Sequence, residues 1–317
     1  MPGDNNNLNL PEKVRALFTT FKGIFEGTMK QAKSEWTDYA TKVSSSSTSN
    51  TYAWLGQSAQ FRKWIGDRVV QAIAKFDYSI KNEDYEMTVE VLKNQVKDDQ
   101  IGLLTPMVQD MADSAAGHPG EMVFSALYDG DANECFDGKP FFAVDHPLTF
   151  NENGTPVAGG PTFSNLILPK TGEPGAKWVL CANNKAVKPV VYQEREAPSF
   201  VSKTALDDET VFRRKVFTFG IDKRDAVGYT LPQFAVMSRE PLTRANFAKA
   251  FKMLEKMAGD KGKALGITPT HLLVDPELRE AAEDILMTEK TDGGKSNTYY
   301  KRVALTVTSH FAPNTTQ

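Results

Sequence analysis

An α+β fold is predicted for this 317-residue chain, and three observations carry the prediction. Apolar residues recur at steps of three and four over 13–43 and 243–258, the spacing of amphipathic helices. Tyr85, Met87, Val89 and Val91 alternate with Glu86, Thr88 and Glu90, the period of a half-buried strand. Further strand-like and helix-like segments are mixed along the remaining chain, separated by stretches rich in Gly, Pro, Asn and Asp.

Each element follows from its residues. Over 13–43, Val14, Leu17, Phe18, Phe21, Ile24 and Phe25 share one face and predict a mostly helical arm. The run "SSSSTSNT" at 44–51 offers hydroxyls that compete with regular backbone bonding, so it predicts a loop or hinge. The alternating strand and the preceding "RVVQAIAKFDYSI" flank "KNED" at 81–84, which predicts a long hairpin over 68–92. A two-stranded hairpin is marginal alone in water, and no local partner is evident. Asp98 and Asp99 suit the start of a helix carrying Leu104, Val108, Met111 and Ala115, with Pro106 in its first turns. A second helix is expected after Pro119.

Residues 130–175 read as loops with short strands, followed by strands at "WVLCA", "KPVVYQE", "KVFTFGI" and "QFAVMS". The sharpest helix runs over 243–258. Thr243 is its N-cap, Leu242 staples onto Phe247, and Phe251, Leu254 and Met257 extend the stripe up to a stop at Gly259. His271–Val274 reads as a buried strand. Asp275 caps the helix that opens on Pro276. "TEKTDGGKSN" reads as a mobile loop, and Val303, Leu305 and Val307 as a closing strand. No internal repeat is visible.

Composition narrows the function. Hydrophobic residues form 40% and charged residues 24% of the chain, enough for substantial cores. A net charge of -3 excludes a protein whose main task is neutralising phosphates. No run approaches the ~18 apolar residues of a membrane span. The polar "MPGDNNNLNLPEKVRALF" lacks the apolar core of a secretory signal, so a cytoplasmic origin is expected. Free Cys135 and Cys181 fit that compartment, and neither has a cysteine partner at metal-ligand spacing.

Motifs for chemistry fail on inspection. "GGKS" at 293–296 lacks the earlier glycine of a phosphate loop, since Glu289 stands there. "GDKGKALG" has no Ser or Thr after its lysine and reads as a helix end and turn. His118, His146, His271 and His310 are scattered, each a structural histidine by this reading. The one reactive candidate is "CFDGKPFFAVDHP", 135–147, as a cysteine hydrolase with Cys135 as nucleophile and His146 as base. Asp145 cannot orient its neighbour His146, because adjacent residues on extended chain point apart. Asp137-Gly138 signals a tight turn, and Phe141 and Phe142 signal packing. The adjacent pairs Asp98–Asp99 and Asp207–Asp208 read as helix starts and turns. No catalytic, cofactor-binding or metal-ligating residue is therefore expected, and no cofactor.

The segments "SNTYAWLGQSAQFRKWIGDR", "YSIKNEDYEMTVEV", "DDQIGLLTPMVQDMADSAA", "CFDGKPFFAVDHP", "FGIDKRDAVGYTLPQFAV" and "KALGITPTHLLVDPELREAAEDIL" together resemble, in order, the major head subunit of Mu-like phages. They span about residues 48–290. The resemblance implies a Hong Kong 97-type capsid fold: an N-terminal arm (1–50), an extended loop (51–97), and a body (98–317) of peripheral and axial domains that meet near 240. The helix from Asp99 would be the spine. It implies a shell protein of the virion, assembled in the bacterial cytoplasm from hexamers and pentamers of itself. Scaffold, portal and decoration proteins would be partners, with double-stranded DNA held non-specifically on the inner face and no membrane. Trp54, Trp64, Arg68, Lys81, Glu83 and Asp84 are the candidate subunit contacts, the last three at the hairpin tip. A polymerising tail or scaffold component is the alternative structural role.

Overall fold

The computed structural model describes residues 9–32, 35–52, 77–98, 101–151, 153–259, 262–291 and 293–313. Two units divide the chain. One combines Met1–Ser34, Asn82–Pro119 and Glu194–Asp225; the other combines Glu35–Lys81, Gly120–Gln193 and Ala226–Gln317.

Helix α1 (Leu10–Gln31) opens on a capping box. Asn9 Oδ1 accepts from the Glu12 amide at 3.1 Å, and the Glu12 carboxylate accepts from the Asn9 amide at 3.0 Å. Val14, Leu17, Phe21 and Phe25 are buried, as their spacing predicts, while Phe18 and Ile24 are half-buried. The helix stops well short of residue 43. A 3-10 turn (Glu35–Asp38) and strand β1 (Ala40–Ser44) follow instead. The serine loop shrinks to 45–48, where Ser45 Oγ donates to the Ser47 carbonyl at 3.1 Å, and strand β2 (Ser49–Thr51) completes the segment.

The hairpin expected over 68–92 is corrected for its described part. Strand β3 (Ser79–Lys81) pairs with β2, with Asn50 opposite Ile80. Strand β4 (Glu83–Leu92) pairs over its whole length with Val216–Asp225. Residues 81–84 are therefore no turn, since Asn82 alone separates β3 from β4. The alternation was a true strand signal, but periodicity does not reveal a partner distant in sequence. Residues 68–76 lie outside the described residues.

A short helix α2 (Lys93–Lys97) is C-capped by Asp98, which therefore does not open the next helix. Helix α3 (Ile101–Tyr128) then runs 28 residues with Pro106 and Pro119 inside it, so the expected break at Pro119 does not occur. An internal proline forfeits one backbone bond. Buried Met111, Ala112 and Ala115 before it, and Val123, Phe124 and Leu127 after it, fix the helix on both sides.

Short strands β5 (His146–Pro147), β6 (Thr162–Phe163) and β7 (Leu166–Ile167) punctuate the loop-rich middle. The chain continues through β8 (Trp178–Cys181), β9 (Val190–Lys203), α4 (Glu209–Arg214), β10 (Val216–Tyr229) and β11 (Ala235–Ser238). Next come α5 (Arg244–Glu255), β12 (His271–Val274), α6 (Arg279–Leu286) and β13 (Ala304–Val307). The Thr243 hydroxyl caps α5 by accepting from the Asn246 amide at 3.3 Å, and Leu242 packs in one cluster with Phe247. Helix α5 ends at Glu255, before Gly259. Asp275 accepts from the amides of Glu277 and Leu278 at 2.8 and 3.1 Å, as its position before Pro276 predicts.

One local motif recurs four times among the described residues, unseen in the sequence. Bridges Glu134–Pro140, Phe150–Pro156, Ala258–Ala264 and Lys290–Ser296 close hairpins on a single plan. In each, the second residue donates its amide to the sixth at 2.8 Å, and a glycine donates back to the second at 2.9–3.1 Å. Those glycines, 138, 154, 262 and 294, have φ of 73–80°, the left-handed region that glycine enters without a steric cost. Both glycine-lysine segments rejected as phosphate loops are such turns. "TEKTDGGKSN" is thus a hydrogen-bonded hairpin, its exit fixed by buried Asn297, which donates to the carbonyls of Ile285 and Thr288.

In the first unit, β4 and β10 turn Met87, Val89 and Val91 and Phe217, Phe219 and Ile221 to one face. There they meet the apolar stripes of α1 and α3, with Phe21 edge-on to Phe219 at 5.4 Å. In the second unit, a sheet of order β13-β12-β8-β11-β7 is buried on both faces. Trp178, Leu180, Val236, Leu272 and Val274 face α5 and α6. Val179, Cys181, Ala235, Met237 and Leu273 face Tyr39, Phe124, Phe141 and Phe142. Each such large side chain contributes roughly 1.5–3 kcal/mol by leaving water.

Candidate functional site

The segment from Cys135 to Pro147 gathers the one cluster of reactive groups that the sequence singles out. Its first half is a hairpin, which turns the Asp137 carboxylate back onto its own loop. Asp137 Oδ1 accepts from the Lys139 amide at 3.0 Å and from Cys135 Sγ at 3.2 Å. Its Oδ2 lies 2.7 Å from His146 Nδ1, and His146 Nε2 donates to the Phe141 carbonyl at 3.2 Å. The imidazole is fully buried and stacks on Phe163 at 5.0 Å, its strand partner across β5 and β6. Asp145, the neighbour of His146, is exposed and bonded to Lys139 Nζ at 2.5 Å. That bond holds the lysine above its ordinary range. Asp137, not Asp145, is the acid that faces the histidine.

This geometry cannot make a nucleophile. An activated thiol needs an imidazole beside it, with the acid behind the imidazole. Here the order is thiol, carboxylate, imidazole. Burial pushes the Cys135 thiol far up and the Asp137 charge pushes it further, while burial alone raises Cys181. Both shifts disfavour the thiolate, which is the attacking form. The aromatic half of the segment packs as predicted. Phe141 stacks on Tyr229 at 4.5 Å, and the Phe142 ring lies against Gly130, where a Cβ would sit 2.8 Å from it. Buried Asn165 binds the segment through the Phe141 carbonyl at 2.8 Å and the Ala143 amide at 2.9 Å.

The remaining histidines stay apart from this cluster. In the first unit, His118 Nε2 stands 3.7 Å from Asp225, which pairs with Lys223 at 2.5 Å in a buried arrangement. Sequence reasoning missed that pair, and the alternation of β10 is its only signal: Lys223 and Asp225 share the face of buried Ile221. His271 lies beside Asp38 at 3.9 Å, and desolvation lowers its proton affinity. His310 is exposed.

The predicted contact residues fall in three places. Trp54, Trp64 and Arg68 lie outside the described residues. Lys81 is exposed on β3. Glu83 and Asp84 begin β4, exposed, with Glu83 accepting from Tyr85 at 3.2 Å and Asp84 paired with Arg224 at 3.2 Å. None of these three occupies a hairpin tip. In the described sheet β4 is the terminal strand, so its outer edge carries no strand partner among the described residues. Glu86, Thr88 and Glu90 stand exposed on its open face, the acidic dress that protects an edge from indiscriminate pairing.

Residues 14–311 match the family model of the Mu-like prophage major head subunit gpT. The chain is 38% identical over 298 residues to the Mu-like prophage FluMu major head subunit of Haemophilus influenzae, covering 93% of this chain and 96% of that protein. It is 37% identical to the major capsid protein of Escherichia phage Mu, covering 88% and 90%. Among solved structures it is similar to a chain of the bacteriophage JBD30 procapsid, with 38% identity, a TM-score of 0.84 and coverage of 95% and 99%. The α+β architecture is that of a Hong Kong 97-type phage capsid protein. With these likenesses over nearly its full length, the chain belongs to the Mu-like phage major head subunits, structural proteins of the capsid.

Proposed function

We propose that copies of this chain associate into hexamers and pentamers that close as an icosahedral shell around double-stranded phage DNA. The likeness to the JBD30 procapsid chain, over 99% of that chain's length, is the observation that carries this reading. A strand edge on one copy meeting a different surface on the next gives a heterologous contact, which propagates into rings. Lys81, Glu83 and Asp84 are contact candidates within it, with Trp54, Trp64 and Arg68 in the extended loop. The division into arm (1–50), extended loop (51–97) and body (98–317, domains meeting near 240) belongs to the same proposal, with α3 as spine. It is modified in one respect: β4 is a member of a folded sheet, so the loop's assembly role is assigned to residues 53–76. Assembly takes place in the host cytoplasm with scaffold and portal proteins. The JBD30 capsid is decorated with minor capsid protein trimers, which supports a decoration partner here. DNA contact is non-specific, in keeping with the net charge of -3.

Negative-stain microscopy of the expressed chain, alone and with its scaffold, tests the reading. Closed shells are expected; open tubes would support a tail component instead. A variant lacking residues 54–75 sharpens the test. Thr51 and Ser79 are paired, and the Tyr52 amide donates to the Tyr78 carbonyl at 2.8 Å, so a short linker can join the two ends. That variant is expected to fold and to form no closed shells.

A further inference from the structure

We propose that Cys135, Asp137 and His146 form a binding site for a zinc-class divalent cation. Their three donor atoms lie within 4.8 Å of one another, in a loop where each is already aimed inward. Tetrahedral coordination with metal–sulfur bonds of ~2.3 Å and metal–nitrogen bonds of ~2.0 Å sets ligand edges of roughly 3.3–3.6 Å. The thiol lies 3.2 Å from Asp137 Oδ1 and His146 Nδ1 lies 2.7 Å from Asp137 Oδ2, while no pair of donors is more than 4.8 Å apart, so small shifts of these side chains reach those edges. A thiolate, an imidazole and a carboxylate form the donor set that zinc and cobalt(II) favour over magnesium or calcium.

The histidine is already oriented for an ion. Its Nε2 lies 3.2 Å from the Phe141 carbonyl, and its Nδ1 faces the Asp137 carboxylate at 2.7 Å. Holding the outer ring nitrogen on a backbone carbonyl is also how metal-binding histidines are oriented. Charge balances in the bound state, where M²⁺, a thiolate, a neutral imidazole and a carboxylate sum to zero. The ion enters as the proton on Cys135 Sγ leaves to solvent. Cys135 also lines an open cleft of about 370 Å³ with Tyr78, Glu134, Asn153 and Thr155, the side from which an ion would approach the thiol.

Titration of the purified full-length chain with cobalt(II) tests the site. One ion per chain is expected, with a near-ultraviolet thiolate-to-cobalt band and release of the thiol proton. Cys135→Ser should abolish the band, and Asp137→Asn and His146→Gln should weaken binding by roughly 100-fold. Cys181→Ser, which leaves Cys135 as the sole thiol, should keep the band, so the assignment stands even where a site variant fails to fold. A folded wild-type chain that binds no cobalt with a thiolate band overturns the proposal. So does a band that survives Cys135→Ser.

Discussion

The two sheets are finished differently. In the second unit β8 and β11 are buried along their whole length, with one apolar cluster on each face. In the first, β4 and β10 cover one face with α1 and α3, while Thr88, Glu86 and Glu90 remain exposed on the other. The sheet of the first unit keeps a ten-residue edge with no strand partner among the described residues, and an open face. Under the proposed assembly, the difference separates residues that hold the subunit together from residues that would connect subunits.

Four substitutions probe that separation. Trp178→Ala, in the doubly covered sheet, should lose about 3–5 kcal/mol, because it empties a fully buried site and removes the indole bond to the Glu240 carbonyl. Denaturant unfolding measures it. Asn165→Ala should cost roughly 2–3 kcal/mol in the same assay, since it strands the Pro232 carbonyl and the Ala143 amide and removes one of the two partners of the Phe141 carbonyl. A smaller effect is expected at His271, where desolvation lowers the folded-state proton affinity. The unfolded chain then binds more protons, so stability is full above about pH 6.5 and falls as pH drops below it. Melting temperatures of wild type and His271→Gln between pH 7 and 5 should diverge, with the variant less acid-sensitive. The smallest change is expected on the open face. Arg214→Ala breaks an exposed ion pair to Glu90 and should shift subunit stability by no more than ~0.5 kcal/mol. A loss of several kcal/mol there would mean that the open face holds the subunit together after all.

Much of this was legible in local pattern. The stripe from Val14 to Phe25, the alternation of β4, and the caps at Thr243 and Asp275 depend on residues within a few positions, and all are present. What depends on distant partners was not legible. Nothing near β4 announces β10, and nothing near Pro119 announces the apolar contacts that carry α3 through it. The recurrent hairpin escaped because its copies share little beyond one glycine whose backbone conformation, not its side chain, does the work. At Cys135–His146 the residue types were visible, and the orientation was not. The carboxylate facing the imidazole comes from a turn nine residues earlier, while its sequence neighbour Asp145 points to solvent.

Amide hydrogen exchange, compared between unassembled subunits and closed particles, tests most directly the claim that one sheet is self-sufficient and the other is reserved for neighbours. Protection should rise on assembly in Glu83–Leu92 and stay constant in Trp178–Cys181, Ala235–Ser238 and His271–Val274. Unchanged exchange in Glu83–Leu92, or an equal rise in both sheets, would contradict the account.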